Sequence, residues 1–199
     1  MTAGTAGETD TRTRLVQTAL RLFTEHGVEG TSLQMIADAL GVTKAAVYYH
    51  FKTKDEITEA VTAPGIRELD VLVRQAATLK RRGAQVDLLL DGFVDLVVRH
   101  RMLVALFSSD PGVARAIAKS SHGGMEGFGQ ALLGILTGPD PDMSARVTAM
   151  VTLTGIAMAG GSPDLAALDD EALRTELLDV GRRLLGRPRR RAEPADSRT

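Results

Sequence analysis

The chain has no cysteine among its 199 residues, which excludes disulfides, thiolate metal sites and cysteine nucleophiles together. No apolar run approaches the roughly 18 residues that a membrane-spanning helix needs. The opening MTAGTAGETD is polar and acidic, unlike a secretory signal, so a cytoplasmic protein is expected. Strand-like alternation of apolar and polar residues is missing, and the expected fold class is all-α. Catalytic patterns are missing too. His100 and His122 stand apart without an HExxH or similar cluster, and no metal site is expected. The glycines of SSHGGMEGFGQ lack the GK[ST] of a phosphate loop and the strand-turn-helix setting of a dinucleotide fingerprint, and they mark a helix break. Ser108, Ser109, Asp110 and His122 supply the residue types of a triad, but no nucleophile elbow carries Ser108, and helix-end capping accounts for Ser109 and Asp110. Neither an enzyme nor a cofactor is expected.

What the sequence does hold is concentrated in residues 30–56, GTSLQMIADALGVTKAAVYYHFKTKDE. Leu33, Ile36, Ala37 and Leu40 recur at i, i+3, i+4 and i+7, the spacing that lays one stripe of a helix against a core. Gly41 can take the left-handed conformation that ends such a helix. Thr43 is placed to cap a second, short helix over 44–50, with Val47 inward and Lys44, Ala45, Tyr48 and Tyr49 outside within an arc of about 140°. A short helix with basic and aromatic side chains on its free face suits a DNA major groove. Thr31 with Gln34, and Thr53 with Glu56, match the reciprocal capping pattern and predict helix starts near 32 and 54. Upstream, TRTRLVQTALRLFTEHGVEG reads as one amphipathic helix carrying Leu15, Ala19, Leu22 and Phe23, closed by Gly27.

Taken together, Arg14 and Leu15, Ala19, Leu22-Phe23, His26-Gly27, Thr31-Ser32, Ile36-Ala37, Gly41-Val42, Val47-Tyr48, His50-Phe51 and Lys54 resemble the signature of the TetR family of bacterial one-component repressors. The resemblance implies a helix-turn-helix DNA-binding head at 10–54 and a ligand-binding, dimerising body at 55–186. It implies a homodimeric transcriptional regulator, a repressor on an inverted-repeat operator in double-stranded DNA, released when a small molecule enters the body. It also implies base contacts at Gln34, Lys44, Ala45 and Tyr48, and phosphate contacts at Ser32, Thr43, Tyr49, His50 and Lys54. The side chains add their own chemistry. Lys44 suits guanine, whereas Ala45 offers only a methyl, for instance to thymine. Gln34 can read adenine unless the cap at Thr31 takes its amide. Lys54, in the first turn of its helix, can join free backbone N–H groups at one phosphate. Tyr48 reads either as a packing tyrosine or as a DNA contact, and His50 either as a structural histidine or as one whose ring reaches a phosphate.

Charge is segregated along the chain. Residues 11–54 carry six basic side chains (Arg12, Arg14, Arg21, Lys44, Lys52, Lys54) against three acidic ones (Glu25, Glu29, Asp38), net +3, while 55–181 carry 11 basic against 18 acidic, net −7. Such a molecule orients its head toward a polyanion, and two heads side by side would compensate for the small charge of one.

Beyond Lys54 the periodicity predicts helices over 54–63, 65–81, 85–108 with a break near His100, 112–119, 125–137, 142–160 and 169–186, and a kink or break at Pro64. The nearly all-apolar segment 88–107 reads as the central buried helix. Candidates to line a ligand cavity are Phe93, Val97, His100, Met102, Leu103, Phe107, Met125, Phe128 and Met150, although Met and Phe at helical spacing are more often core than cavity wall. The effector expected is a small apolar or weakly polar molecule oriented by His100. Helix 142–160 is rich in small residues, and helix 169–186 carries one apolar stripe. Ala149, Thr152, Ile156, Leu173, Leu177, Val180 and Leu184 are therefore candidates for a dimer interface, which the resemblance favours over simple closure of the core. The basic tail 187–199 is too polar to fold and is expected to be disordered, with phosphate binding as the alternative. A rival reading of the whole is a helical dimeric adaptor whose head binds protein without sequence-specific DNA binding.

Overall fold

The computed structural model describes residues 3–110, 113 and 124–187, apart from the side chains of 3–9, 108–109 and 124–128; the expected helix 112–119 (apart from Val113), His122 and the tail 188–199 lie outside them. Among the described residues every regular element is helical. The head contains α1 (Ala3–Gly30), α2 (Leu33–Leu40) and α3 (Lys44–His50), and the long α4 (Lys54–Thr78) leads into the body. There follow α5 (Arg82–Arg99), α6 (Arg101–Ser109), α7 (Gly124–Thr137), α8 (Met143–Gly160), a 3-10 turn at Pro163–Leu165 and α9 (Asp170–Leu184).

The head's helices start and stop where small polar residues and glycines direct. Thr43 and Thr53 cap α3 and α4 through hydrogen bonds from the Ala46 and Glu56 N–H groups. The Glu56 carboxylate reaches back to the Lys52 N–H at 2.8 Å, closing the expected exchange one residue earlier than the usual pattern. Gly41 ends α2 at φ 68, ψ 31. The pairing of Thr31 with Gln34 is corrected. Ser32 caps α2 by accepting from the Met35 N–H, while buried Thr31 turns its hydroxyl to the Gly27 and Leu22 carbonyls. Gln34 donates to Asp38 on the next turn instead. Gly27 also does less than expected: it kinks α1 at φ 74, ψ 164, and the helix resumes to Gly30.

Pro64 does not break α4, which runs from 54 to 78 without interruption. A proline within a helix removes one backbone hydrogen bond and crowds the preceding turn. Here that cost is met by burial on both sides, with Val61 and Thr62 before it and Gly65 after it all packed inward. Gly65 matters for the approach of α6, since a Cβ there would stand 3.2 Å from Leu103. The break near His100 is present: His100, at φ −108, ψ 33, ends α5 and starts α6.

Two apolar clusters organise the molecule. The first gathers Leu72, Leu89, Leu90, Phe93, Val94, Val97, Leu132, Leu136, Ile156, Leu173 and Leu177 among others from α4, α5, α7, α8 and α9. The second joins Leu15, Leu22, Phe23, Ile36 and Val47 of the head to Ile57 and Val61 of α4 and to Leu103 and Leu106 of α6. The head is thus packed onto the body through α4 and α6. On the outer side, Asp91 and Asp95 of α5 pair with Arg182 and Arg174 of α9 at 2.7 and 2.5 Å, and Asp87 pairs with Arg187 at 2.8 Å. The hydrogen bond to Asp95 raises the Arg174 guanidinium further above its ordinary value. Arg187, expected in a disordered tail, is therefore anchored to α5, because it also reaches the Gly83 carbonyl.

Candidate nucleic-acid interface and body cavity

The outer face of α3 is presented by its neighbours. Val47 is fully buried against the head core, and at about 100° per residue Lys44, Ala45, Tyr48 and Tyr49 fall on other sides of the helix, all four exposed. Tyr48 is 41% and Tyr49 67% exposed, so both rings are accessible from outside. The Lys44 ammonium lies 5.7 Å above the Tyr48 ring, and Tyr49 meets His50 edge-on at 5.2 Å. His50 is half-buried between the reading face and the core. Ser32 and Thr43 cap α2 and α3 with their oxygen lone pairs, which leaves each hydroxyl proton to donate to an external acceptor.

Two of the expected contacts are already engaged. The Gln34 amide donates to Asp38 at 2.7 Å, and the Lys54 ammonium binds the carbonyl and carboxylate of Glu29 at 3.2 Å each. Lys54 thereby ties the end of α1 to the start of α4, and a phosphate at that place must compete with Glu29. Two basic residues not singled out by the sequence border this surface. Arg12 stacks over Phe51 at 4.7 Å, and Lys52 donates to the Tyr48 carbonyl at 2.7 Å. Arg12 was counted in the sequence as one of the head's positive charges, but its stacking on a residue 39 positions away was not legible there.

In the body, a largely apolar cavity of about 480 Å³ opens among α4, α5, α6, α7 and α8. Of the expected lining residues, Phe93, Val97, His100, Leu103, Phe107 and Met150 border it. Met102 does not; it points to solvent at 46% exposure, one residue short of Leu103 on α6. Met125 and Phe128 belong to the undescribed side chains. The sequence missed the contribution of α4, from Thr62, Gly65, Ile66 and Leu69, because cavity walls and solid core share one helical spacing. Among the described residues no lysine, arginine or carboxylate lines the space. Its polar points are Thr62, Thr154 and His100, whose Nε2 faces Glu68 Oε1 at 3.1 Å. Glu68 is also gripped by Arg99 at 2.6 Å. Burial pushes the Glu68 carboxyl up, but the hydrogen bond and charge of His100, with those of Arg99, outweigh it and hold it below its ordinary value.

Most of the residues expected at a dimer interface face inward instead. Ala149, Thr152, Ile156, Leu173 and Leu177 are buried in the chain's own core, while Val180 and Leu184 are exposed. The inward stripes of α8 and α9 pack on α5, and the free side of α8 carries Met143, Val147, Met150, Val151 and Met158, each more than half exposed. Among the described residues no helix is long and apolar enough to cross a membrane, and no group of three or more His, Asp or Glu could hold a metal ion.

Residues 15–61 match the bacterial regulatory proteins, tetR family. Over 61 residues the chain is 43% identical to a probable acrEF/envCD operon repressor of Escherichia coli strain K12, a stretch that covers 30% of this chain and 28% of that protein. The chain thus matches under a third of that curated relative's length. Structural likeness extends further. The ketosteroid transcriptional regulator KstR2 of Mycobacterium tuberculosis superposes with a TM-score of 0.69 at 15% identity, covering 88% of this chain and 93% of that one. AibR, solved in complex with isovaleryl coenzyme A and operator DNA, superposes with a TM-score of 0.61 at 18% identity, covering 85% and 96%.

Proposed function

We propose that this chain, whose residues 15–61 match the tetR family of bacterial regulatory proteins, is a homodimeric, ligand-responsive DNA-binding regulator of that family, a repressor rather than an enzyme. The observation that carries the reading is the exposed Lys44, Ala45, Tyr48 and Tyr49 face of α3, with the Ser32 and Thr43 hydroxyls beside it. Lys44, Ala45 and Tyr48 read base edges in the major groove; Ser32, Thr43, Tyr49, His50 and Lys54 hold phosphates and fix the register. Gln34 joins the base contacts by exchanging Asp38 for a base edge.

The head's apolar cluster extends onto α4 and α6, and the proposed division of labour runs across it. A head at about 10–54 reads DNA, and the body from 55 onward senses a small molecule and pairs with a second copy. One short reading helix and a net charge of +3 suit two half-sites of an inverted repeat better than one. The body cavity suits an uncharged, largely apolar effector, since its described lining is almost wholly apolar and offers a charge no partner of opposite sign. AibR, with its acyl-CoA ligand and operator, is a precedent for both activities on one fold. Selection of binding sites from random duplexes tests the reading. An inverted repeat should emerge, and its loss on replacing Lys44 should map to one base pair per half-site. A head that enriches no sequence would favour the protein-binding adaptor.

A further inference from the structure

Among the described residues the cavity walls carry three polar side chains, Thr62, His100 and Thr154, and the first two have their protons committed elsewhere. Thr62 is 1% exposed, and its hydroxyl donates to the Glu59 carbonyl at 3.1 Å, one turn back on α4. A hydroxyl has a single proton, so the Thr62 oxygen keeps only lone pairs for an occupant. Thr154, on the exposed side of α8, is free to rotate and imposes no direction on a hydrogen bond.

His100 is fixed more tightly. Its ring borders the cavity, whereas Glu68 and Arg99 border a separate groove formed by α4 and α5. Glu68 thus approaches the ring from outside the cavity, with Oε1 at 3.1 Å from Nε2. Arg99 holds the other carboxylate oxygen, Oε2, at 2.6 Å. An ionised carboxylate accepts and cannot donate, so in the neutral ring the proton sits on Nε2 and Nδ1 keeps its lone pair. Arg99 already answers the Glu68 charge, and a second ring proton would leave an unbalanced positive charge at an apolar wall. Nδ1 has no hydrogen-bond partner among the described residues. Since no buried side-chain nitrogen or oxygen among them is unsatisfied, Nδ1 is accessible. Both fixed polar points of the cavity are therefore acceptors.

We propose that the effector is an alcohol or a phenol, a largely apolar molecule whose hydroxyl donates to His100 Nδ1, with Glu68 as the positioning residue that fixes the tautomer. The inference rests on the proposed sensor role of the cavity and adds the direction of the hydrogen bond within it. A ketone of the same skeleton brings its own lone pairs against those of Nδ1 and Thr62 and leaves the acceptors desolvated and unpaired. A site built to pair with a hydroxyl rejects an analogue that lacks it more strongly than a purely apolar pocket rejects an isostere.

Three pairs of neutral compounds serve as probes: menthol with menthone, borneol with camphor, and cyclododecanol with cyclododecanone. Each pair shares one carbon skeleton and differs in whether the oxygen carries a proton. Calorimetric titration of the wild-type chain at about pH 8, where an imidazole is neutral, should show the alcohol bound about tenfold or more tightly than its ketone. Gly129→Phe fills the cavity from a position whose Cβ direction is open and should abolish binding of both. His100→Phe keeps a ring but removes the acceptor, and it should bring the ratio close to one by weakening the alcohol. In Glu68→Gln the amide either accepts from Nε2 or donates to it, so the ratio should narrow there too, which a merely structural role of Glu68 would not produce. Nitrogen NMR of the wild-type imidazole reads the tautomer without any ligand and should find Nε2 protonated and Nδ1 bare. The wild-type ratio and the tautomer decide the matter even if a variant does not fold. Ketones bound as tightly as their alcohols, or a proton on Nδ1, overturn the inference and leave the sensor reading intact. If no pair binds in a way that Gly129→Phe abolishes, the sensor reading fails and the inference falls with it.

Discussion

Asp110 joins body to head, and removing its carboxylate should be felt in both. At the end of α6 the Asp110 Oδ2 accepts from the Val28 N–H at 2.5 Å, a contact that spans 82 positions of the chain. The Gly27 kink interrupts the α1 ladder just before Val28, and Val28 is 4% exposed, so water does not readily replace the carboxylate. Leaving a buried N–H without its acceptor costs about 1–3 kcal/mol. Against this, a carboxylate at a helix C-terminus opposes the helix dipole, and its removal returns about 0.3–1 kcal/mol. Asp110→Ala should therefore destabilise the protein by a net ~1–2 kcal/mol. Urea unfolding followed by far-UV circular dichroism gives the magnitude. Amide hydrogen exchange at Val28 gives the location, and it should accelerate more than exchange at buried Ile36. Because α6 also borders the cavity, Asp110→Ala should weaken the response of operator affinity to a bound effector more than effector binding itself. Unchanged stability together with unchanged exchange at Val28 would refute the assignment.

Other consequences are equally specific. Lys44→Ala should cost about 1–3 kcal/mol at one base pair per half-site, while Lys54→Ala, which removes a phosphate contact and the Glu29 tether, should weaken all sequences alike; binding to a panel of single-base operator variants separates the two. The Glu68 carboxyl is depressed, so the stability it contributes is complete above its ordinary value of about 4.3 and is lost as pH falls through the lowered one. Thermal unfolding across the acid range should show a shallower decline in Glu68→Gln than in wild type. Gly160→Ala puts a methyl 2.1 Å from Val97 Cγ1 and should destabilise by about 1–3 kcal/mol through overpacking, visible as a lower urea midpoint.

The head was legible because its local rules agree with one another. Helical spacing of Leu33, Ile36 and Ala37, a left-handed glycine at 41 and hydroxyl caps at 43 and 53 each act within a few residues, and the structure keeps all of them. Thr31 was misread because two adjacent hydroxyls can cap one helix. Burial decides between them, and burial depends on α1. The uninterrupted course of α4 through Pro64 is likewise set by packing on α6, which local propensity cannot anticipate. In the body, the small residues of α8 and the apolar stripe of α9 were read from the sequence, but not which side of each helix looks inward. Leu173 and Leu177 went to the core, and Met143, Val147 and Val151 stayed outside. The cavity was half legible for the same reason. Phe93, Val97, His100 and Phe107 lie on the segment that was expected to be central, whereas the α4 wall depends on how two distant helices meet.

The central claim is that the α3 face reads sequence on a polyanion, and the most direct test is a salt titration of affinity for the selected operator against a scrambled duplex of equal length. The account predicts that both affinities fall with rising salt, that the operator is held at least about 10³-fold more tightly at physiological salt, and that Lys44→Ala narrows that ratio while the salt dependence persists. Equal affinity for the two duplexes at every salt concentration would contradict it.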